Sequence, residues 1–183
     1  MRFKPATRLE NACASGSAAL YAAIDAIEAG RTDVALVVGT EKMTHLPGVQ
    51  VTAALGAASY QKDEAGVSVA DISFAEVHDC FTIAELMTME AMGLARPGEA
   101  GLLVGEGVTQ KDGRLPPINR SGGLKAKGHP VGATVVSMHV MAARQLTGDA
   151  GDMQLQGPKL GLCFNMGGGA VASYVSILEP LEV

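Results

Sequence analysis

The sequence predicts an α/β protein in which helices pack on the faces of a largely parallel sheet. Apolar runs of strand length alternate along the chain with segments whose apolar residues recur at helical spacing, as is typical of this class. Glycine is abundant, at 23 of 183 residues, whereas aromatic residues make up only 4% and tryptophan is absent. This composition favours close packing of helices on a sheet and turns built from backbone, and it argues against disorder.

The first predicted elements are a helix and a buried strand. A helix is predicted over residues 14–29, because Leu20, Ile24 and Ile27 recur at helical spacing and a glycine follows the segment. Residues 34–38 form a continuous apolar run, which predicts a parallel strand buried on both faces.

Capping signals and breaker residues define the remaining elements. Thr82 and Glu85 have the spacing of a capping box, and Pro130 has the position of a first-turn proline. Alternation of apolar and polar residues predicts a strand that ends at His78. After residue 38, the sequence predicts a loop over 40–50, a helix over 51–65, a strand over 71–77, a helix over 82–92, a loop over 98–117 with an extended piece at 102–104, a strand over 118–120, a helix from 130 to about 147, a polar linker over 148–158, and strands over 160–164 and 170–178.

Charge and composition exclude several classes of function. The net charge of −5 argues against a broad binder of nucleic-acid backbone, because such domains usually carry a basic face. Every apolar run is interrupted before it reaches membrane-spanning length, and the first residues lack the apolar stretch of a signal peptide. Three irregularly spaced cysteines suit free thiols in a reducing compartment, so we expect a cytoplasmic protein.

Cys13 is the strongest candidate nucleophile. It lies at the start of the first predicted helix, where unpaired backbone N–H groups and the positive end of the helix dipole favour the thiolate. Small residues follow it and leave room for a substrate. The alternative is a buried structural cysteine, since free cysteine is among the residue types most often buried.

His129 is the candidate proton carrier. Its imidazole titrates near neutrality, so it can take a proton from a thiol and return it later. A long glycine-rich loop leads to this histidine and places it just before a predicted helix. A histidine in a surface loop is the alternative.

His78 and Cys80 flank Asp79 at the end of a predicted strand. Two residues apart, they would point to the same side if the strand continued, and both could reach one pocket. Metal binding is the rival use of such residues, but the three cysteines are widely separated and no CxxC or HxxxH pair is present, so no metal is expected. Asp79 and Glu76 are interpreted as solvated or supporting carboxylates.

The glycine run that begins at Gly167 could turn backbone N–H groups toward an oxyanion. A plain turn between two strands is the alternative. A phosphate site fits poorly, because no Lys-Ser/Thr pair follows and a strand comes next. Cys163 is predicted to lie in a strand with a structural role.

Together these segments resemble the thiolase superfamily, and most closely the sterol-carrier-protein-type thiolases. Residues 10–16 (Glu-Asn-Ala-Cys-Ala-Ser-Gly) resemble the nucleophile loop. Residues 78–81 (His-Asp-Cys-Phe) resemble the HDCF motif that marks this branch, and residues 128–130 resemble the GHP motif. The loop that carries Cys-x-Gly in other thiolases reads Asn-Met-Gly at 165–167, so Cys80 of the HDCF motif is expected to supply the second catalytic thiol.

The resemblance implies an acetyl-CoA acetyltransferase-like enzyme that works through a cysteine thioester. Cys13 would accept an acyl group from an acyl-CoA while His129 takes its proton, and Cys80 would remove or return the α-proton. His78, with a water, and His129 would steady the enolate oxygen. The N–H groups of Cys13 and Gly167 would hold the tetrahedral oxyanion. No permanent cofactor is implied; coenzyme A thioesters are substrates, and the residues that bind coenzyme A are not identified.

The resemblance also implies a domain organisation. Residues 1–48 correspond to a remnant of the thiolase N-terminal half, with the nucleophile loop, a helix and a strand, and residues 49–183 correspond to the C-terminal half. The thiolase-like fold would consist of two related βαβ-type halves. Its first half is incomplete and its loop domain is missing, so the chain is expected to be truncated relative to the family.

Partners and reaction follow from the same resemblance. Thiolases are dimers and some work with a small OB-fold protein, so a homodimer or larger assembly and an OB-fold partner are expected. The predicted reaction is thiolysis of a 3-ketoacyl-CoA or the reverse Claisen condensation, in lipid metabolism. The alternatives are a non-catalytic subunit or remnant that keeps the motif loops, and a thiolase-like aldolase that acts on acyl-CoA.

Overall fold

The structure is a computed structural model that describes residues 6–9, 11, 13–39, 67–167 and 172–180. The whole of the predicted loop over 40–50 and of the predicted helix over 51–65 lies outside these residues, as do the last two glycines of the run that begins at Gly167.

A three-stranded mixed sheet forms the centre of the described fold. Its strands are β1 (Phe74–Val77), β2 (Gly161–Gly167) and β3 (Ala172–Leu178), in the order β1-β2-β3. β1 and β2 are parallel, whereas β2 and β3 are antiparallel. The α/β class is confirmed, and the two strands predicted at the end of the sequence are both present.

Helices flank this sheet. Helix α5 (Thr134–Thr147) packs against both β2 and helix α1 (Ser15–Glu28), so it forms the layer between the sheet and the segment that carries Cys13. Gly16 permits a close approach of the two helices, since a Cβ there would lie 3.1 Å from the Cβ of Val135. The helices are α1 (Ser15–Glu28), α2 (Thr82–Ala91), α3 (Ala100–Gly105), α4 (Gly123–Lys127) and α5 (Thr134–Thr147), and 3₁₀ turns span Val69–Asp71 and Gly151–Met153.

The core lies between the sheet and α5. Every residue of β1 is buried, as expected for a strand covered on both faces. Met138 and Ala142 of α5 pack on Phe74 of β1 and Cys163 of β2. The structural role predicted for Cys163 agrees with its 2% exposure in this core.

The buried strand predicted over residues 34–38 is wrong. The segment has no regular secondary structure, and Val34, Leu36 and Val38 are 83%, 88% and 70% exposed. A strand is stable only when its backbone groups pair with a neighbour. No strand of the described residues pairs with this segment.

Four boundary predictions are also corrected. The piece at 102–104 is helical, within α3. Thr82 is already the first residue of α2, so Phe81 holds the cap position and no side chain caps the helix. The Glu85 side chain contacts Asn119 and Lys125 instead. The strand over 118–120 is reduced to a single bridge, between Ala75 and Ile118. The helix predicted from residue 130 begins at Thr134.

The helices bear on the expectation that no apolar run reaches membrane-spanning length. Among the described residues, no helix combines the length and the apolar character needed to cross a bilayer.

Candidate active site

Three distant segments bring Cys13, His78 and His129 together. The Cys13 sulfur and one ring nitrogen of each histidine all lie within 4.8 Å of one another. The two imidazole rings meet edge to face, with centroids 5.0 Å apart and planes at 80°. Cys13 and His78 are buried, at 3% and 0% exposure. A thiol and two imidazoles therefore share one water-poor site.

Cys13 lies two residues before the first residue of α1, outside the helix, and is held by the loop before it. The Ala14 N–H donates to the Asn11 carbonyl at 2.9 Å, which closes a tight turn around the cysteine. The Asn11 N–H donates to Ser15 Oγ at 2.7 Å, and Asn11 Nδ2 donates to the Tyr174 hydroxyl at 3.1 Å. The loop is thus bonded both to α1 and to β3.

His78 follows the last residue of β1, and burial keeps it neutral. Burial lowers the pKa of His78 to about 3, and the neighbouring His129 lowers it further by repulsion between the two cationic forms. Its Nδ1 lies 2.8 Å from Asn165 Nδ2 at the end of β2. Asn165 Oδ1 in turn lies 3.5 Å from Ser17 Oγ of α1.

His129 is oriented by the first residue of α5. Its Nδ1 lies 2.6 Å from Thr134 Oγ1, and the Thr134 hydroxyl donates to the Pro130 carbonyl at 3.1 Å. Because that hydroxyl proton is used on Pro130, Oγ1 accepts from His129 Nδ1–H. The proton of the neutral ring is then on Nδ1, which leaves the lone pair on Nε2.

Cys80 contributes a second thiol beside the first. It is half-buried, and burial raises its pKa to about 11, with the nearby Cys13 as the next cause. Cys80 is therefore a thiol at neutral pH and can serve as a proton donor.

Gly167, at the end of β2, packs against the loop that holds Cys13. A Cβ at this position would lie 2.6 Å from the Asn11 carbonyl oxygen and 2.9 Å from the Ala14 nitrogen. Only glycine allows this approach of two backbones. All five predicted site residues, Cys13, His78, Cys80, His129 and Gly167, therefore lie in one region, and their catalytic roles stay predictions.

Two buried carboxylates on and after β1 hold the loop that leads to His129. Glu76 accepts from the Ser121 N–H at 3.0 Å and from its hydroxyl, and Lys127 lies 3.6 Å away. Asp79 accepts from the Leu124 N–H at 2.7 Å. At 2% exposure each, the two are buried, so the interpretation as solvated groups is wrong and the interpretation as supporting groups fits.

A known protein family matches most of the chain. Residues 35–180 match the family described as thiolase C-terminal domain-like, which accounts for most of the chain. The chain belongs to this thiolase family.

Two relatives match parts of the chain. An acetyl-CoA acetyltransferase from Methanothermobacter thermautotrophicus is 38% identical over 130 residues, which make up 71% of this chain and 34% of that protein. Sterol carrier protein 2 from Homo sapiens is 44% identical over 110 residues, or 60% of this chain and 20% of that protein. This chain thus spans about a third or less of the length of these relatives.

A solved structure also shares the fold. The structure named Ltp2-ChsH2(DUF35) aldolase matches with a TM-score of 0.54 and 24% identity, over 64% of this chain and 29% of that chain. The thiolase-like α/β fold predicted from the sequence is confirmed.

Sequence reasoning missed the contacts of Asn165 and Thr134 in this site, and it named Glu76 only as a solvated or supporting carboxylate. Asn165 was identified only as the residue in place of a cysteine, whereas its amide contacts His78. Thr134 was not singled out, although it lies one helical turn after Pro130 and orients His129. Glu76 carried one signal, an acidic residue at the centre of an otherwise apolar strand.

Proposed function

We propose that this chain is a thiolase-like acyltransferase that forms an acyl thioester on Cys13. The observation that carries the proposal is the convergence of the Cys13 thiol with the two imidazoles of His78 and His129. The lone pair left on His129 Nε2 supports its role as the base that deprotonates Cys13. Membership of the thiolase family and the acetyl-CoA acetyltransferase relative support coenzyme A thioesters as substrates, with no permanent cofactor.

Because its raised pKa keeps Cys80 protonated, the proposed steps are described in the thiolysis direction, in which Cys80 begins as a proton donor. His129 accepts the Cys13 proton, and the Cys13 sulfur attacks the 3-keto carbon of a 3-ketoacyl-CoA. The bond between C2 and C3 breaks, and the departing acetyl-CoA enolate takes its proton from the Cys80 thiol. The acyl group stays on Cys13.

Coenzyme A then completes the cycle. Its thiol loses a proton to the Cys80 thiolate, and its sulfur attacks the acyl group on Cys13. The Cys13 sulfur leaves and regains its proton from His129. The products are acetyl-CoA and a shortened acyl-CoA, and every group has returned to its starting protonation state. The N–H groups of Cys13 and Gly167 are proposed to stabilise the tetrahedral oxyanions.

The domain organisation and partners are part of the same proposal. Residues 1–48 would belong to the N-terminal half of a thiolase and residues 49–183 to the C-terminal half. A broad apolar groove between α1, α5 and β3, lined by residues such as Ile24, Val140 and Val175, supports a protein partner, either a second copy or an OB-fold protein. A cytoplasmic location agrees with these soluble substrates.

Thiolysis of acetoacetyl-CoA, followed as loss of its enolate absorbance, tests the proposal. Cys13→Ser should abolish the reaction. Cys80→Ser should lose cleavage while retaining transfer of an acetyl group from acetyl-CoA to Cys13. Cys163→Ala is the matched control, because this thiol lies in the core and should not affect turnover. Cleavage of a 3-hydroxyacyl-CoA to an aldehyde and acetyl-CoA, without free coenzyme A, would indicate an aldolase, and a folded chain that neither cleaves nor acylates would indicate a non-catalytic subunit.

A further inference from the structure

The buried His78 ring has one nitrogen without a partner in the described part of the chain. Its exposure is 0%, and Nε2 makes no hydrogen bond there, whereas Nδ1 is paired with Asn165. Buried polar atoms in proteins are almost always satisfied, so an unsatisfied one at a site of this kind points to a group that binds there. What it can bind depends on whether Nε2 carries the ring proton.

Asn165 determines where that proton lies. The residue is 1% exposed, and its amide presents Nδ2 to His78 Nδ1 at 2.8 Å and Oδ1 to the Ser17 hydroxyl at 3.5 Å. An amide nitrogen donates and does not accept, so Nδ1 of His78 must accept. A neutral imidazole that accepts at Nδ1 carries its proton on Nε2.

The two histidines of the site are therefore opposite tautomers. Thr134 leaves the His129 proton on Nδ1 and the lone pair on Nε2, whereas Asn165 leaves the His78 proton on Nε2. One ring can accept a proton and the other can donate a hydrogen bond. Both rings are neutral in the resting site, which suits a buried pair, and His129 becomes an imidazolium only while it holds the Cys13 proton.

We propose that Asn165 is a positioning residue that fixes His78 as the Nε2–H tautomer, so that His78 donates a hydrogen bond to the thioester or enolate oxygen of a bound acyl-CoA. The part that concerns the substrate rests on the proposed function; the tautomer itself does not. The same proton opposes a metal site, because a protonated Nε2 cannot ligate a cation. The cluster of Cys13, His78 and His129 is thereby assigned to hydrogen bonding and proton transfer, although its atoms lie close enough to converge on a metal ion.

Ring ¹⁵N NMR of the histidines at pH 7 tests the tautomer directly, without any need for activity. The wild-type His78 should show the Nε2–H pattern. In Asn165→Asp, a carboxylate of nearly the same shape accepts instead of donating, so His78 should change to Nδ1–H or to imidazolium. In Asn165→Ala, neither nitrogen is constrained and a mixture is expected. A wild-type Nδ1–H form, or a pattern that Asn165→Asp leaves unchanged, would overturn the proposal.

Kinetics and metal titration complete the test. Loss of one oxyanion donor typically lowers kcat by about 100-fold, so Asn165→Asp should lower kcat to that extent while KM changes little. In a His78→Gln background, whose amide donates without a choice of tautomer, Asn165→Asp should have little further effect. An equal loss in both backgrounds, or shifts of the His78 ring on titration with Zn²⁺ alone, would contradict the assignment. A correct tautomer in a chain without acyl transfer would refute the proposed function and leave the tautomer assignment standing.

Discussion

Replacement of Gly167 by alanine should displace the loop that holds Cys13. The new Cβ would lie 2.6 Å from the Asn11 carbonyl oxygen, so that loop must retreat by about 0.8 Å before the contact reaches 3.4 Å, where ordinary van der Waals contact begins. The atoms it meets are backbone, on Asn11 and Ala14, and cannot rotate away as a flexible side chain would.

This displacement sets the size of the expected effect. A misplacement of about 1 Å in a catalytic group typically costs about 100-fold in rate, so acylation of Cys13 should slow to roughly that extent. Overpacking costs about 1–3 kcal/mol, which corresponds to a fall in Tm of about 2–12 °C for a chain of this size. The matched control is Gly101→Ala in α3, where a Cβ meets no atom within 4 Å. That change should leave the rate unaltered and stabilise the helix by about 0.5–1 kcal/mol.

Two assays on the same variants separate the loop from the chemistry. Transfer of an acetyl group from acetyl-CoA to Cys13 reports the reaction, and alkylation of Cys13 by iodoacetamide reports the loop alone. Both rates should fall in Gly167→Ala and neither in Gly101→Ala. Rates within twofold of the wild type for Gly167→Ala, with an unchanged Tm, would refute the argument that this glycine positions the nucleophile loop.

Three further measurements concern buried titratable groups. Burial lowers the pKa of His78 to about 3, so the unfolded chain takes up this proton first as the pH falls. The free energy of unfolding in urea should therefore decrease between about pH 6.5 and 3, by at most roughly 5 kcal/mol, and a flat profile would contradict a buried neutral ring. Asp79→Asn leaves one oxygen for the Leu124 N–H but turns an NH₂ group toward the Lys125 N–H and removes the negative charge beside the Lys125 ammonium. It should destabilise by about 1–3 kcal/mol, against about 0.5 kcal/mol or less for the exposed Asp149→Asn. Because burial raises the pKa of Cys80 to about 11, its labelling by iodoacetamide should stay slow through about pH 9; rapid labelling at pH 7 would show a thiolate instead.

Local sequence signals predicted the elements that depend on local interactions. α1 and α5 have helical spacing in the sequence and glycines just beyond their ends, and both are helices in the structure. β2 and β3 were predicted within a few residues. The apolar run at 34–38 failed because apolar character alone does not make a strand, which also needs a pairing neighbour.

The same distinction applies to the residues of the site: those with a local sequence signal could be identified, and those whose role depends on distant contacts could not. Cys13 and His129 could be identified from residue type and position, because each lies in a loop next to a helix start. Asn165 could not, because its role depends on His78, 87 residues away in the sequence. Glu76 likewise acts on Ser121, 45 residues away, and no local pattern encodes such a contact.

The acetyl adduct on Cys13 tests the central claim most directly. The chain is incubated with acetyl-CoA, digested and mapped by mass spectrometry, while released coenzyme A is measured in parallel. We predict one acetyl group on the peptide that contains Cys13, with an equal amount of coenzyme A released. The adduct should be absent in Cys13→Ser and present in Cys80→Ser. A folded chain without an adduct, or one acetylated at Cys163 instead, would contradict the assignment of Cys13 as the nucleophile.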